Sequence, residues 1–214
     1  MSTPLTREKL LDSAEHMFAR RGFDGASVRD ITADAGSNLG SVNYHFGDKQ
    51  GLLREVILRR AKRIVEGRDA MLALAVEAAG GKAPTVRAIL EAFIAPTVNM
   101  AGEHPDFAAL MSRMHYEGRF ALVGEVFERA FHKSLRAFVA ELAKAAPTVP
   151  EDEIKWRIFF TVGAFVFVTI NPRMIFTVTR SDAAKPDPRA LTRRLVDFCA
   201  AGMQAPASCK GVRK

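Results

Sequence analysis

Prolines and glycines divide this chain into segments in which apolar residues recur with the period of an α-helix. Pro84, Pro105, Pro150 and Pro188 stand where the first turn of a helix tolerates a residue without an N–H. No segment alternates polar and apolar residues between hairpin turns, as a half-buried strand does. The sequence therefore predicts an all-α fold, with later helices at roughly 84–102, 105–117, 122–146, 150–170 and 187–203.

The first eighty residues predict three short helices and one long connecting helix. Their successive caps are Thr6, Ser27, Asn38 and Asp48. Gly22 is expected to end the first helix and Gly36 to close the second, while the fourth extends to about Glu77. We expect a helix-turn-helix domain at 1–48, a connecting helix at 49–80, a larger helical domain at 81–205 and a disordered tail at 206–214. Within the larger domain, 171–186 is too apolar for an exposed loop and is expected to pack on the protein.

Composition narrows the class of protein without deciding it. The 214 residues carry a formal net charge of +7, with the basic excess at the two ends. Positive charge suits nucleic acid, but it equally suits a soluble protein or one drawn to an anionic membrane. Only two cysteines are present and no signal peptide is recognisable, so reduced thiols and a cytoplasmic location are expected. The longest uncharged run, Ile158 to Ile170, is shorter than the roughly 20 residues that span a bilayer, so no membrane partner is expected.

No pattern of catalytic or metal-binding residues emerges from the sequence. There is no G-x-S-x-G elbow, H-E-x-x-H helix, phosphate-binding loop or dinucleotide glycine fingerprint. The five histidines are scattered without metal-ligand spacing. We therefore expect a protein that is not an enzyme and that needs neither a cofactor nor a metal.

Residues 35–49 read AGSNLGSVNYHFGDK and combine a turn, a short helix and polar groups suited to phosphate. Two short helices joined by a glycine turn form a helix-turn-helix, whose second helix enters the major groove of DNA. Val42 is expected to face inward, while small residues on the opposite face permit close approach to the groove. The predicted DNA-binding residues are Ser27, Arg29, Asn38, Leu39, Gly40, Ser41, Asn43, Tyr44, His45 and Lys49.

These side chains divide into two predicted roles. Asn43 can pair with a base edge through two hydrogen bonds, Arg29 can reach a guanine or a phosphate, and Ser41 can donate to either. The other donors surround the recognition helix, where they would set register and affinity without reading sequence. They are Ser27, Tyr44, His45 and Lys49.

Residues 5–60 resemble the DNA-binding domain of TetR/AcrR-type transcriptional regulators. The matching motifs are Phe18 with Arg21-Gly22-Phe23, Ser27-Val28-Arg29-Asp30-Ile31, Ala35-Gly36, and Tyr44-His45-Phe46 followed by Lys49. The resemblance implies a homodimer, with a three-helix reader that binds palindromic operator DNA. It also implies a C-terminal ligand-binding and dimerisation domain, in which a small molecule releases the operator. Repression is the commoner mode in this family.

A narrower resemblance, to the PsrA-like branch of fatty-acid-responsive regulators, extends into the C-terminal half. Its matching segments are Asn38-Leu39, Val42-Asn43-Tyr44-His45-Phe46-Gly47, Ala145-Ala146-Pro147, Val149-Pro150, Trp156-Arg157 and Ala200-Ala201-Gly202-Met203. It implies a small hydrophobic effector such as a fatty acid or acyl derivative. Two positions depart from the family pattern: Ser37 replaces a common aliphatic residue and Asn43 a common aromatic one. The base preference of tyrosine-bearing relatives therefore does not transfer to this chain.

Two further groups of candidates follow from the resemblance. The candidate effector contacts form a Met- and Phe-rich wall, in which Arg113, His115 and Arg157 are possible partners for a carboxylate. They are Phe107, Met111, Met114, His115, Trp156 and Phe160. The candidate dimer contacts lie on two helices expected to form a four-helix seam. They are Val162, Ala164, Val166, Leu191, Leu195, Phe198 and Gly202.

Simpler interpretations stay open for most of these residues. Phenylalanine and methionine at helical spacing are equally typical of an ordinary core, and an exposed arginine is often only solvated. The alternative for the whole chain is a helical small-molecule-binding or interaction protein that does not bind DNA. That alternative leaves the polar residues of 43–49 unexplained.

Overall fold

The structure, a computed structural model, describes residues 4–171, 174–180 and 187–207, and within these the regular secondary structure is helical throughout. The helices are α1 (Pro4–Gly25), α2 (Val28–Asp34), α3 (Leu39–Phe46), α4 (Lys49–Ala78), α5 (Val86–Glu103), α6 (Pro105–Tyr116), α7 (Gly124–Ala145), α8 (Glu151–Ile170), α9 (Met174–Thr179) and α10 (Pro188–Gln204). A 3₁₀ turn at Phe120–Leu122 precedes α7. The predicted all-α fold is confirmed. No helix in the described ranges is both long and apolar enough to cross a membrane.

Some local expectations are wrong. Thr6 does not cap α1, because the helix already begins at Pro4. Gly22, with a φ of 74° and a ψ of 173°, interrupts the regular helix at the place where an end was expected, and a short helical piece follows as far as Gly25. The segment expected to be a loop contains the helix α9, in which Met174 and Val178 are exposed. Residues 172–173, 181–186 and 208–214, which include most of the predicted tail, lie outside the described residues.

The chain forms two compact units. The first comprises residues 1–63 and 103–131, and the second comprises 64–102 and 132–214. Helix α6 belongs to the first unit, where it packs against α1, although the sequence boundaries placed it in the larger C-terminal domain. The buried core of the first unit comes from α1 to α4 and α6. It includes Leu10, Leu11, Ala14, Phe18, Ile31, Val42, Leu52, Leu53, Val56, Ile57, Phe107, Leu110 and Met114.

A buried ion pair joins α1 to α4 inside the first unit. Arg60 donates from Nε and Nη2 to the two carboxylate oxygens of Glu15, both at 2.9 Å. Its Nη1 lies 3.0 Å from Nε2 of His104, which immediately precedes α6. Bidentate geometry makes such a pair strong, and losing one partner would leave a buried charge.

The second unit has an aromatic core. The ring of Phe93 meets those of Phe138 and Phe165 edge to face, at centroid distances of 5.0 and 5.9 Å. Buried Arg68 lies among them: its Nε donates to the Phe93 carbonyl at 2.9 Å and Nη2 donates to Thr97 Oγ1 at 3.1 Å. Its guanidinium carbon is 4.0 Å from the Phe93 ring centroid. Burial lowers the pKa of Arg68 to about 9.

Helices α8 and α10 pack against each other in the second unit. Arg157 of α8 is buried and donates to the carbonyls of Met203 at 2.9 Å and Ala205 at 2.7 Å. These bonds satisfy carbonyl groups at the end of α10 that have no partner within the helix. Arg157 therefore holds the end of α10 and is not the exposed head-group partner considered from the sequence.

The contact between Arg60 and His104 indicates how the stability of the fold should depend on pH. Nε2 must be unprotonated to accept from Arg60, and burial, reinforced by the Arg60 charge, lowers the pKa of His104 below its ordinary 6.5. The stability contributed by neutral His104 is complete above about pH 6.5 and is lost as the pH falls through the lower, folded-state pKa. The thermal unfolding midpoint should therefore fall less between pH 7 and pH 5 in His104→Gln than in wild type. Parallel midpoint curves for the two proteins would contradict this.

Candidate nucleic-acid interface

The turn between α2 and α3 is built from backbone hydrogen bonds. The Ser37 N–H donates to the Thr32 carbonyl at 2.8 Å, and the Gly36 N–H donates to the Ala33 carbonyl at 3.2 Å. Gly36 has a φ of 60°, a left-handed conformation that glycine adopts without strain. This pair of bonds is a Schellman-type ending, which closes α2 and redirects the chain.

Side-chain caps define where the two short helices begin. Ser27 Oγ accepts from the Asp30 N–H at 3.0 Å. Asn38 Oδ1 accepts from the Ser41 N–H at 3.1 Å and lies 3.3 Å from Ser41 Oγ. Both predicted caps are confirmed. Because Oδ1 of Asn38 is used in the cap, its amide N–H groups are the part of that side chain suited to an outside acceptor.

The end of α3 packs closely on the first turn of α4. Asp48 Oδ1 accepts from the Gly51 N–H at 2.7 Å, which confirms the predicted cap. A Cβ added at Gly51 would lie 2.0 Å from the Phe46 carbonyl oxygen, so no other residue fits there. The absence of a side chain at Gly51 thus sets how near α3 and α4 approach.

This framework gives α3 one buried and one exposed face. Val42 is fully buried, as predicted, while Tyr44 is 77% exposed. All ten predicted DNA-binding residues lie within 27–49 of the first unit. The exposed ones are Ser27, Arg29, Asn38, Leu39, Gly40, Asn43 and Tyr44, and the half-buried ones are Ser41, His45 and Lys49. The exposed face offers amide, hydroxyl and guanidinium groups, which are donors suited to base edges and phosphates.

Lys49 is held by a part of the chain that the sequence did not indicate. Its Nζ donates to the Asp24 carbonyl at 3.4 Å and lies 4.6 Å from the centroid of the Phe23 ring. Both residues follow the bend at Gly22 in α1. An ammonium has three N–H donors, so this contact leaves Lys49 able to donate to a phosphate as well.

Two arginines from the C-terminal end of α6 and the turn after it contact the bent end of α1. Arg113 donates from Nε to the Ala19 carbonyl at 2.8 Å and from Nη2 to the Arg20 carbonyl at 2.9 Å. Arg119 forms an ion pair with the Asp24 carboxylate. Sequence reasoning assigned no such role to Arg119 and considered Arg113 only for an effector, because no local pattern links residues more than ninety positions apart.

The six candidate effector contacts are divided between the two units. In the first unit, Phe107 and Met114 are buried, Met111 is half-buried and His115 is exposed. In the second unit, Trp156 and Phe160 are 60% and 65% exposed, with stacked rings 6.1 Å apart. Within its own unit α6 turns its apolar side toward α1, and α8 turns these two rings toward solvent, while the effector contacts stay a prediction.

The dimer candidates fall into two groups by burial. Leu195 is buried in the second unit, and Val162, Ala164, Val166 and Leu191 are half-buried. Phe198, which is 73% exposed, and Gly202 face solvent. Further exposed aromatic residues of α8 lie at helical spacing, and the sequence analysis did not include them as dimer contacts. They are Trp156, Phe159, Phe160 and Phe167.

Among the residues that the structure describes, no cluster of three His, Cys, Asp or Glu side chains could hold a metal ion. What the first unit offers instead is a short, capped helix with an exposed polar face and a neighbouring lysine. Such an arrangement can donate hydrogen bonds to base edges and to phosphate oxygens.

Comparison with known proteins places both halves of the chain in one family. Residues 10–56 match the profile described as "Bacterial regulatory proteins, tetR family", and residues 91–202 match "Tetracyclin repressor-like, C-terminal domain". The chain is 34% identical over 61 residues to the HTH-type transcriptional repressor AcnR of Corynebacterium glutamicum, covering 28% of this chain and 32% of AcnR. It is 43% identical over 51 residues to the repressor KstR2 of Mycolicibacterium smegmatis, covering 24% of this chain and 25% of KstR2. The chain thus aligns with about a third or less of the length of these curated relatives.

The structure also resembles solved structures along nearly the whole chain. A structure of the fatty acid degradation regulator FadR from Bacillus halodurans has a TM-score of 0.70 at 15% identity, and the match covers 94% of this chain and 97% of that one. At this identity the likeness concerns the fold. Because the C-terminal profile alone matches more than half of the chain and the N-terminal profile matches the helix-turn-helix region, the chain belongs to the TetR family of bacterial regulatory proteins.

Proposed function

We propose that the chain is a sequence-specific DNA-binding transcriptional regulator, acting as a homodimeric repressor on palindromic operator DNA. The observation that carries the proposal is α3, which exposes a polar face while Val42 anchors it in the core. Family membership and the aligned repressors support the same function. The alternative, a helical protein that does not bind DNA, gives no reason for this exposed polar surface.

The contacts refine the roles of the DNA-binding residues. Asn43 is exposed near the middle of α3, where its amide can pair with an adenine edge through two hydrogen bonds. The Ser27 oxygen accepts in the cap of α2, so its O–H remains suited to donate to a phosphate. Lys49, Tyr44 and His45 supply further donors beside α3. Sequence choice would thus come mainly from Asn43 with Arg29 and Ser41, and affinity mainly from the other donors.

Two substitutions separate these roles. Asn43→Ala should lower discrimination at one base pair by about 1 to 3 kcal/mol, because it removes a base contact. Lys49→Ala should weaken binding to matched and mismatched sites alike. It should also reduce the slope of log affinity against log salt concentration by about one for each lysine on the DNA. Fluorescence anisotropy with DNA from upstream of the protein's own gene, at several salt concentrations, measures both effects. Equal losses on matched and mismatched sites for both variants would refute this division, and no specific complex with wild type would refute the proposed function.

We propose that the homodimer forms through the exposed apolar faces of α8 and α10. Trp156, Phe159, Phe160 and Phe167 follow one face of α8, and Phe198 is exposed on α10. A fully buried aromatic side chain contributes about 150–250 Å², so these five, which are 49% to 73% exposed, supply about 480–790 Å². That area is comparable with the roughly 800 Å² that each partner buries in a stable interface. A dimer would also place two α3 helices one turn of DNA apart, about 34 Å.

Breaking this face should yield monomers that have lost operator affinity. Phe160→Glu and Phe198→Glu should each shift the mass in sedimentation from twice the chain mass of 23.5 kDa toward that mass. Leu74→Glu is the matched control, because Leu74 is a comparably exposed apolar residue, at 64%, on α4. A wild-type monomer, or dimers that persist in both phenylalanine variants, would contradict the assignment.

The proposed effector is a fatty acid or a related acyl compound, in accord with the PsrA-like segments. FadR of Bacillus halodurans, which shares this fold, is described as a fatty acid degradation regulator. The aromatic interior of the second unit suits an acyl chain better than do the exposed rings of Trp156 and Phe160. Arg68 brings a positive charge into that interior, beside Phe93 and Phe165, where it would favour a carboxylate.

Acids and alcohols of equal chain length test this effector class. A long-chain fatty acid should release operator DNA at a concentration about tenfold below that of the matching alcohol, because only the acid is charged. Arg68→Met should remove the difference, whereas Arg68→Lys should keep part of it by retaining the charge. Release is followed by anisotropy of labelled operator. Operator affinity that no acyl compound changes would remove the fatty-acid proposal and leave DNA binding intact.

A further inference from the structure

The bend in α1 divides its C-terminal end into two pieces. Gly22 has backbone angles outside the helical region, and residues 23–25 follow it in a new direction. A Cβ at Gly22 would lie 2.9 Å from Glu117 Oε1, on the turn after α6. The bend is thus formed where α1 meets the end of α6, inside the first unit.

Arg113 and Arg119 contact α1 on opposite sides of this bend. Arg113 donates to the Ala19 and Arg20 carbonyls before the bend, at 2.8 and 2.9 Å. Arg119 pairs with the Asp24 carboxylate after it. We name the two arginines the α6 clamp. Two contacts on opposite sides of a bend fix its angle, which a single contact would leave free.

The piece after the bend supports Lys49. The Asp24 carbonyl accepts from Lys49 Nζ, and the Phe23 ring lies beneath the same ammonium at 4.6 Å. Asp24 therefore joins the two contacts, because its carboxylate meets Arg119 and its carbonyl meets Lys49. A displacement of residues 23–24 would therefore move the carbonyl and the ring that hold the Lys49 ammonium.

We propose that Arg113 and Arg119 are positioning residues, which hold Lys49 for a DNA phosphate through the bent end of α1. The inference rests on the proposed DNA-binding function and adds a control point to it. The turn from Gly36 to Asn38 orients the base-reading residues by separate contacts. The clamp therefore sets the grip on phosphate without altering base choice.

The exposure of the clamp favours positioning over stabilisation. The side chains of Arg119 and Asp24 are 35% and 69% exposed, and ion pairs in such surroundings contribute little to folding stability. Their effect on a neighbouring group can nevertheless be large, because a phosphate contact requires the lysine in one place. The clamp variants should therefore fold normally and differ in DNA affinity.

Asp24→Asn gives the sharpest test. A pure net-charge effect and the positioning of Lys49 predict opposite changes in DNA affinity for this substitution. Removing a negative charge from the DNA-binding unit should tighten DNA binding if only net charge matters. If the clamp positions Lys49, Asp24→Asn should instead weaken operator binding about threefold to tenfold, equally on matched and mismatched sites. Arg119→Gln should weaken binding to the same degree, and Arg119→Lys should restore part of the loss.

A double-substitution cycle identifies the residue through which the clamp acts. In a Lys49→Gln background, Asp24→Asn and Arg119→Gln should produce no further loss, because the group that they position is gone. Asp106→Asn is the matched control: it removes an equal charge from α6, at that helix's contact with His16 of α1 and away from the bend. It should leave affinity unchanged or slightly raised.

All variants are compared by operator affinity and thermal unfolding midpoint in the full-length protein. Tighter or unchanged binding by Asp24→Asn overturns the clamp while the proposed function stands, and so do losses that add to that of Lys49→Gln. If the unfolding midpoint of the clamp variants falls together with their operator affinity, these residues have a structural role, and that result also overturns the proposed clamp. Wild-type protein that binds none of its own upstream DNA overturns both the clamp and the proposed function.

Discussion

The packing of α3 on α4 at Gly51 is the constraint on which the exposed polar surface depends. The Phe46 carbonyl oxygen occupies the space that a side chain would need, so the two helices meet at a distance that only glycine permits. Asp48 fixes the first turn of α4, Asn38 fixes that of α3, and Val42 holds the helix between them in the core. The residues proposed to read DNA are thereby presented by rigid backbone and need little ordering when they bind.

Polar groups link distant parts of the chain in both units. In the first, Glu15 with Arg60, and Asp24 with Arg119, connect α1 to α4 and to the turn after α6. In the second, Arg157 secures the end of α10, and Arg68 carries a charge into an aromatic interior. Aliphatic side chains could have filled the space of the buried members, Glu15, Arg60, Arg68 and Arg157, at lower desolvation cost. The charged contacts instead give defined geometries between helices.

Sequence reasoning predicted the parts of this structure that depend on local chemistry. The caps at Ser27, Asn38 and Asp48 and the buried position of Val42 follow from residues within four positions of each, and the structure confirms them. Contacts across long separations left no such signal. The bend at Gly22 lies against Glu117 and Arg113, more than ninety residues away, and no local pattern predicted that contact. Likewise, helical periodicity did not distinguish the buried Phe107 from the exposed Phe160.

We propose that α3 is the element that enters DNA and that a dimer arranges two copies of it. Hydroxyl-radical footprinting on the DNA upstream of the protein's own gene tests this most directly. We expect two protected tracts related by a two-fold axis, with centres about 10 base pairs apart, the distance of one helical turn. Protection should disappear when the sequence of either tract is scrambled. A complex that protects no defined tract, or that protects scrambled DNA equally well, would contradict the central claim.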